Sequence, residues 1–269
     1  MSDDIGIVGL GMVGTAVFNG MVHNGHRVLK HDIKLHTSLL NLSKASVIFV
    51  CVPTPSFKDG SCDTSIVDNV IEELHYMNYD GIICIKSTVS IGTTEKLIQK
   101  YNNNKICFVP EFLRERCATE DFIKNHDVCV IGTYDDHIFE HIKKVHKDIP
   151  DKFVKLAPSE AEAVKYFNNV YNAVKVTFAN SFYEVCQSLG ISYTNVKNAV
   201  VNREHIYDSY LECNDDMRGF GGPCLPKDTR ELSYLCENNL KNISFFTDVL
   251  KQNSKFKTTV IEGTRRENE

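Results

Sequence analysis

Three glycines near the N-terminus constrain the fold of this chain more than any other feature. Gly9, Gly11 and Gly14 directly follow a short apolar run and open a helix-like segment. In a strand–turn–helix unit that binds a dinucleotide, the first glycine makes the turn, the second lets a pyrophosphate approach the backbone, and the third packs helix against strand. Asp32 ends the next strand-like run, where a carboxylate can bind ribose hydroxyls. This order of features predicts a dinucleotide-binding domain.

The charge of Asp32 favours NAD as the dinucleotide, because the 2′-phosphate of NADP would meet a like charge there. Lys30 and Lys34 flank this carboxylate and leave NADP open, although solvated surface lysines are the simpler interpretation. NAD is therefore the predicted cofactor.

The first 156 residues alternate between apolar, β-branched runs and amphipathic segments. The runs are Ile5–Leu10, Arg27–His31, Ser46–Val52, Gly81–Lys86, Lys105–Val109, Asp127–Gly132 and Lys152–Leu156. The clearest amphipathic segments are Ser65–Met77, Thr93–Lys100 and Asp136–Lys147. This alternation predicts an α/β fold, a doubly wound, Rossmann-type parallel sheet with helices on both faces.

A long helical pattern then starts at Pro158 and meets no proline before Gly190. A helix of about thirty residues is long for a globular protein, and its apolar residues occupy more than one face, so we expect it to be the spine of an all-helical domain and a homodimer interface. Shorter helices are predicted at Ser192–Val201, Lys227–Asn238 and Ser244–Thr259. The predicted domains are residues 1–157 for cofactor binding and 158–262 for catalysis and dimerisation, with a frayed tail at 263–269.

Composition excludes several classes of protein. The net charge of −5 argues against a general binder of nucleic acid or anionic membrane. No apolar run approaches membrane-spanning length, and the acidic N-terminus lacks a signal-peptide pattern. The ten cysteines form neither a Cys-x-x-Cys pair nor a Cys/His cluster at zinc spacing. We therefore predict no metal site and reduced thiols in a cytoplasmic protein.

A second glycine-rich stretch, Gly219 to Asp228, contains Cys224 with Lys227 close by. A thiol held near a cation can act as a nucleophile, because positive charge favours the thiolate. A lone cysteine is more often a buried structural residue. The dinucleotide signature at the other end of the chain is what favours the reactive interpretation here.

With the glycine turn near its N-terminus and the Cys224 stretch near its C-terminus, the chain resembles the UDP-glucose/GDP-mannose dehydrogenase family. Its motifs follow the family's order over nearly the whole chain: Gly9 to Gly14, Cys51 to Pro55, Ser87 to Val89, Pro110 to Glu115, Glu162-x-x-Lys165-x-x-x-Asn169, and Gly219 to Asp228. The resemblance implies that a nucleotide sugar, UDP-glucose foremost, is oxidised from the C6 alcohol to the carboxylate with two NAD per sugar.

The resemblance also implies roles for six residues. Cys224 would attack the aldehyde intermediate, and the thiohemiacetal would lose a second hydride to become a thioester. Lys165 would stabilise the developing oxyanion, and Asn169 would donate to the same oxygen. Asp228 would hold or activate a water, and Glu111 would serve in acid–base steps. The sixth residue, Thr88, would orient water or substrate.

The same resemblance implies two sets of binding residues. The cofactor set is Gly9, Gly11, Met12, Val13, Gly14, Asp32, Val52, Pro53, Thr54, Ser87, Thr88 and Glu115. The substrate set is Phe112, Leu113, Lys165, Asn169, Phe220, Gly221 and His205.

Taken singly, most of these residues have a structural alternative. Lys165 could be a surface lysine paired with Glu162 on its own helix. Asn169 could be solvated, and Asp228 could cap the helix that follows it. Thr88 could be a strand-end hydroxyl bonded to backbone.

The chain also departs from the family pattern. His205 stands where the family often has arginine, and Arg116 where it prefers glycine. The sequence ends where members usually continue into a second, nucleotide-binding domain. Three interpretations follow. The first is a nucleotide-sugar dehydrogenase core whose further domain is supplied by a partner chain or neighbouring subunit, or is not needed. The second is a single-step β-hydroxyacid dehydrogenase. The third is a catalytically impaired NAD-binding subunit.

Overall fold

Two units make up the protein in the computed structural model, which describes residues 3–240 and 242–261. Unit 1 comprises Met1–Phe57 and Cys62–Lys165, and unit 2 comprises Lys58–Ser61 and Tyr166–Glu269. The division falls eight residues later than the predicted boundary at 157/158. The predicted domain limits stay predictions, and the tail at 263–269 lies outside the described residues.

Unit 1 is built on a seven-stranded sheet with the order β2-β1-β3-β4-β5-β6-β7. The strands are β1 Asp4–Val8, β2 Arg27–His31, β3 Val47–Val50, β4 Ile82–Ile85, β5 Ile106–Phe108, β6 Cys129–Gly132 and β7 Phe153–Leu156. The helices of this unit are α1 Met12–His23, α2 Ser65–Tyr76, α3 Thr93–Tyr101, α4 Ala118–Lys124 and α5 Asp136–His146. All seven predicted strands are present, and the predicted doubly wound sheet is confirmed.

Both faces of the sheet are covered, as the apolar runs require. Every residue of β3 is buried. Ile48 and Val50 pack into one apolar cluster, whereas Val47 and Phe49 pack into another. Alternate residues of a strand point to opposite faces, so a wholly apolar strand indicates two covered faces.

One pair of strands departs from the predicted parallel sheet. β6 runs antiparallel to β5, with Phe108 opposite Gly132. The connection between them contains α4, whose Phe122 packs against Gly20 of α1. Two parallel strands are usually connected by a helix that runs back along the sheet. The α4 helix packs on α1 instead, and the strand that follows it runs antiparallel to β5. The α4 helix was not predicted, because only seven residues form it.

The long helix α6 is confirmed over Pro158–Ser188, and the division between the units falls inside it. Unit 2 contains most of α6 and the helices α7 Tyr193–Val200, α8 Leu225–Asn239 and α9 Phe245–Asn253. It also contains a two-stranded parallel pair, β8 Gly219–Phe220 and β9 Thr258–Thr259.

The strand β9 corrects the predicted helix Ser244–Thr259, which ends at Asn253. The Asn253 side chain accepts a hydrogen bond from the Phe220 N–H at 2.9 Å and donates to the Phe220 carbonyl at 3.0 Å. A Cβ on Gly221 would lie 2.4 Å from Thr258 Cγ2, so the two segments approach closely because of that glycine. Tertiary pairing and two β-branched threonines therefore override the helical pattern.

Candidate cofactor and catalytic sites

Backbone conformation and close packing within the chain require glycine at two positions of the turn after β1. Gly9 has a φ of +86°, and a Cβ there would lie 2.5 Å from the carbonyl oxygen of Cys51. A Cβ on Gly14 would lie 1.8 Å from the carbonyl oxygen of Gly9. Any larger residue at either position would push the first helix away from the sheet.

Gly11 is different, because apart from its own chain neighbours no atom of the described residues lies within 4 Å of a Cβ placed on it. Its φ of −69° suits any residue. Packing within the chain therefore does not call for glycine at this position, whereas a phosphate approaching the backbone would. Met12 and Val13 follow in the first turn of α1, where unpaired N–H groups and the helix dipole favour an anion.

Asp32 is fixed at the end of β2 by two main-chain groups. Its Oδ2 accepts a hydrogen bond from the Leu10 N–H at 2.7 Å, and its Oδ1 accepts one from the Lys34 N–H at 2.9 Å. These backbone hydrogen bonds hold the pKa of Asp32 below its usual value. The ionised carboxylate keeps further lone pairs that can accept ribose hydroxyls. Lys30 places its ammonium 5.2 Å from the centre of the Phe18 ring.

The ends of β3 and β4 are tied together beside this turn. The Ser87 hydroxyl donates to the Val52 carbonyl at 2.7 Å, while the Thr88 carbonyl accepts the Cys62 thiol at 3.5 Å. Pro53 is exposed, and Thr54 and Thr88 are half-buried. Because β2, β1, β3 and β4 are parallel neighbours, the residues that follow them share one edge of the sheet. That edge is where open α/β sheets bind ligands.

Glu111 lies beyond the end of β5 and forms a buried ion pair with Lys86, its Oε2 being 3.0 Å from Lys86 Nζ. Burial alone would raise the pKa of Glu111, but the Lys86 ammonium, with His126 and Lys165, holds it below its usual value. Glu111 is therefore ionised at neutral pH, so it can accept a proton but holds none to donate. The sequence interpretation missed Lys86, although a lysine ending the apolar run Ile82–Ile85 was a usable signal.

Lys165 is held against the same segment. Its ammonium donates to the main-chain carbonyl of Glu111 and lies 5.7 Å from the centre of the Phe112 ring. Glu162 is buried and accepts hydrogen bonds from the Gly92 N–H and from the N–H and hydroxyl of Thr94. The alternative that Lys165 is a surface lysine paired with Glu162 is therefore wrong. Leu113 is half-buried, and Glu115 begins a short 3-10 turn two residues later.

Unit 2 joins two of the predicted catalytic residues. Asn169 Nδ2 donates to Asp228 Oδ2 at 2.6 Å, and both side chains are buried. Asn168 donates in turn to Asn169 Oδ1 at 2.9 Å, and Lys227 Nζ lies 3.1 Å from Asp228 Oδ1. A solvated Asn169 is therefore excluded, and Asp228 is not the N-cap of α8.

Cys224 is that N-cap, and it is half-buried. Its carbonyl accepts the Asp228 N–H at 3.0 Å, so the thiol and the carboxylate lie one helical turn apart on α8. The positive end of a helix favours a thiolate over a thiol.

The remaining predicted substrate residues lie in different surroundings. The Phe220 ring is buried in an apolar cluster with Ala173 and Val249. Gly221 lines an open cavity of about 910 Å³ in unit 2, together with Arg230 and Lys257. His205 is exposed in the segment between α7 and β8. Substrate contacts by these residues stay predictions.

Within residues 3–240 and 242–261, no group of three or more His, Cys, Asp or Glu side chains is arranged to hold a metal ion. No helix in that part of the chain is both long and apolar enough to cross a membrane.

The parallel sheet, the glycine turn and the carboxylate after β2 define a Rossmann-type dinucleotide-binding protein. Sequence profiles of the UDP-glucose/GDP-mannose dehydrogenase family match two stretches: the NAD binding domain at residues 34–150 and the central domain at 159–255. The chain belongs to the UDP-glucose/GDP-mannose dehydrogenase family. The predicted family is confirmed, and so is NAD, the cofactor that its first domain binds.

Individual relatives agree with this assignment. The UDP-glucose 6-dehydrogenase of Rickettsia bellii is 28% identical over 246 residues, which are 88% of this chain and 56% of that protein. The solved UDP-glucose dehydrogenase of Pyrobaculum islandicum superposes with a TM-score of 0.87 at 27% identity, covering 95% of this chain and 68% of that one. The chain thus spans about half the length of the curated relatives it matches.

A Mycobacterium tuberculosis 3-hydroxyisobutyrate dehydrogenase has a similar fold and a similar length. It superposes with a TM-score of 0.73 at 15% identity, covering 95% of this chain and 94% of that one. At this identity the similarity concerns the fold alone.

Proposed function

We propose that this chain carries the cofactor-binding and catalytic parts of an NAD-dependent nucleotide-sugar 6-dehydrogenase, with UDP-glucose as its substrate. The observation that supports this most is the buried Asn169–Asp228 hydrogen bond at the start of α8, the helix whose N-cap residue is Cys224. Asn169 and the Lys227 ammonium offset the cost of burying the Asp228 carboxylate, and they hold it one helical turn from the Cys224 thiol. The names of the relatives point to the same substrate.

The first half of the reaction needs a proton acceptor and a cation. Two NAD molecules, bound in turn, would each accept one hydride from C6. Glu111, ionised beside Lys86, would take the proton of the C6 hydroxyl, directly or through a water held by Thr88. Lys165 donates one N–H to the Glu111 carbonyl, and its other N–H groups can stabilise the developing oxyanion.

The second half needs a nucleophile and a water. The Cys224 thiolate would add to the aldehyde carbon and form a thiohemiacetal, which becomes a thioester when the second hydride leaves. Asp228 would then take a proton from the water that breaks the carbon–sulfur bond, releasing the carboxylate and the thiol. Asn169 holds Asp228 with one N–H and has a second one for the oxyanion.

The first experiment counts NADH formed per UDP-glucose by the wild type and by Cys224→Ser. We expect two NADH per sugar from the wild type, and at most one from the variant, because a hydroxyl cannot form the thioester intermediate efficiently. Cys236→Ser, on the same helix, is the matched control and should still give two.

Other outcomes decide between the alternatives. NADH formation from a β-hydroxyacid, unaffected by Cys224→Ser, would replace this proposal with the single-step β-hydroxyacid dehydrogenase. Tight NADH binding without turnover of any nucleotide sugar would indicate a non-catalytic NAD-binding subunit.

We also propose that the protein is a homodimer formed through α6. Five apolar side chains on this helix are between 39% and 75% exposed: Phe167, Tyr171, Phe178, Phe182 and Val185. Their spacing of 4, 7, 4 and 3 residues places them along one face. An exposed apolar stripe of this length is typical of a protein–protein interface, and a second copy of the same helix is the occupant we propose.

All ten cysteines are free in the structure. Free thiols are usual in a reducing compartment, and we propose the cytoplasm as the site of action.

A further inference from the structure

Lys86 is a buried lysine whose part in the reaction proposed above is limited to keeping Glu111 ionised. It directly follows β4, and its side chain is fully buried. The centres of the Phe49 and Phe122 rings lie 5.7 Å and 5.9 Å from its ammonium nitrogen. The Glu111 carboxylate, at 3.0 Å, is its ionic partner, and neither Lys86 Nζ nor Glu111 Oε2 makes a further hydrogen bond to the described residues.

Stability alone is a poor explanation for this pair. Apolar side chains of similar volume often replace a buried ion pair without loss of stability. The Phe49 and Phe122 rings lie beside the Lys86 side chain, so an unbranched methionine could occupy the same space. A lysine is needed there only if its charge does something for Glu111.

Glu111 connects Lys86 to Lys165. Its side chain is bound to Lys86, while its main-chain carbonyl accepts a hydrogen bond from the Lys165 ammonium. β4 and β5 are paired up to Ile85 and Phe108, and Lys86 and Glu111 both lie just beyond that point. The ion pair thus joins the ends of two strands at the edge where the cofactor residues lie.

We propose that Lys86 is a positioning residue, which fixes the backbone at Glu111 so that the Glu111 carbonyl holds the Lys165 ammonium in place. The inference rests on the proposed function, because only that function gives Lys165 an oxyanion to stabilise. Lys86 itself contacts the Glu111 carboxylate but not the sugar in this proposal.

The first test does not depend on turnover. Wild type and Lys86→Met are pulse-labelled with acetic anhydride at pH 8, and acetylation of Lys165 is measured by mass spectrometry relative to the exposed Lys100. We expect Lys165 to react about threefold faster or more in Lys86→Met, since release from the carbonyl raises the reactive population. Lys105→Met removes an exposed ion pair and should leave the labelling unchanged.

The second test separates positioning from a structural role. A small displacement of a catalytic group can cost about a hundredfold in rate, so we expect kcat with UDP-glucose to fall roughly 10- to 100-fold in Lys86→Met. The KM for the sugar and the Kd for NADH should change much less. Lys86→Arg keeps the charge and should restore most of kcat and the slow labelling of Lys165.

Unchanged labelling of Lys165 in a folded Lys86→Met protein would overturn the proposal. If that variant does not fold, Lys86→Met combined with Glu111→Gln removes both buried charges, and unchanged labelling in the double variant would overturn it equally. A wild type that oxidises no nucleotide sugar would defeat the proposed function, while the labelling result would still decide whether Lys86 positions Lys165.

Discussion

At the scale of single residues, the three glycines of the first turn have separable purposes. Gly9 and Gly14 are required by backbone conformation and by close packing of α1 on the chain around it. A Cβ on Gly11 would meet no atom of the described residues within 4 Å apart from its own chain neighbours. Stability should therefore depend on Gly14, and cofactor affinity on Gly11.

We predict that Gly11→Ala lowers NADH affinity about tenfold or more, because a methyl group would stand where the pyrophosphate approaches. Its free energy of unfolding should fall by less than about 1 kcal/mol, the usual cost at a helix N-cap. Gly14→Ala should instead lose about 2 kcal/mol or more through overpacking. Isothermal titration with NADH and urea unfolding measure the two effects. Equal effects of both variants on stability would contradict this division.

At the scale of elements, the connection between β5 and β6 depends on one aspartate. Asp121, on α4, accepts hydrogen bonds from the Arg114 N–H and guanidinium and from Asn125. These bonds, the Arg114 guanidinium foremost, hold the pKa of Asp121 well below its usual value. The aspartate thus anchors the segment that contains Glu111 and Phe112.

Asp121→Asn should lower the free energy of unfolding by about 2 kcal/mol at pH 7, since it loses hydrogen bonds to a charged partner. A carboxyl whose pKa is depressed by folding contributes fully above its unfolded pKa near 3.9, and that contribution fades as pH falls towards the folded value. The difference between wild type and variant should therefore shrink between pH 5 and pH 3, as followed by urea unfolding.

The neighbouring carboxylate provides the control for this experiment. Glu120 pairs with Lys124 at 3.4 Å, and both side chains are mostly exposed. Glu120→Gln should change the free energy of unfolding by less than about 0.5 kcal/mol both at pH 7 and at pH 3. A difference for Asp121→Asn that stays constant with pH would show that its hydrogen bonds do not depend on ionisation.

At the scale of the whole molecule, the long helix raises the question of assembly. Its predicted apolar faces are present, and one of them is exposed in the single chain at Phe167, Phe178 and Phe182. The predicted homodimer would cover this face. Nothing in the reactions proposed for Lys165 or Cys224 depends on the partner copy, so assembly can be tested without an activity assay.

We predict that light scattering gives twice the chain mass of 30.5 kDa for the wild type. Phe178→Glu combined with Phe182→Glu should give the single-chain mass, because four charges cannot be buried unpaired between two copies. Tyr76→Glu, which changes a still more exposed aromatic residue on α2, should remain a dimer. A monomeric wild type would remove the proposed interface.

The sequence by itself determined the succession of the seven strands in unit 1, the cofactor turn and the family. These are local properties: strand and helix periodicity depends on neighbouring residues, and the turn depends on glycines at fixed spacing. The motifs around Lys165, Asn169 and Asp228 were visible for the same reason. Roles for these residues came from the resemblance, and they stay proposals.

Only the tertiary structure decided which of these residues meet. Lys86 and Glu111 are 25 positions apart in the sequence and form an ion pair because neighbouring parallel strands bring their ends together. Asn169 on α6 forms a hydrogen bond with Asp228 on α8. Thr258–Thr259 forms a strand beside β8 because Gly221 has no side chain to block the approach. Periodicity carries no information about such contacts, since each depends on the free energy of bringing distant segments together.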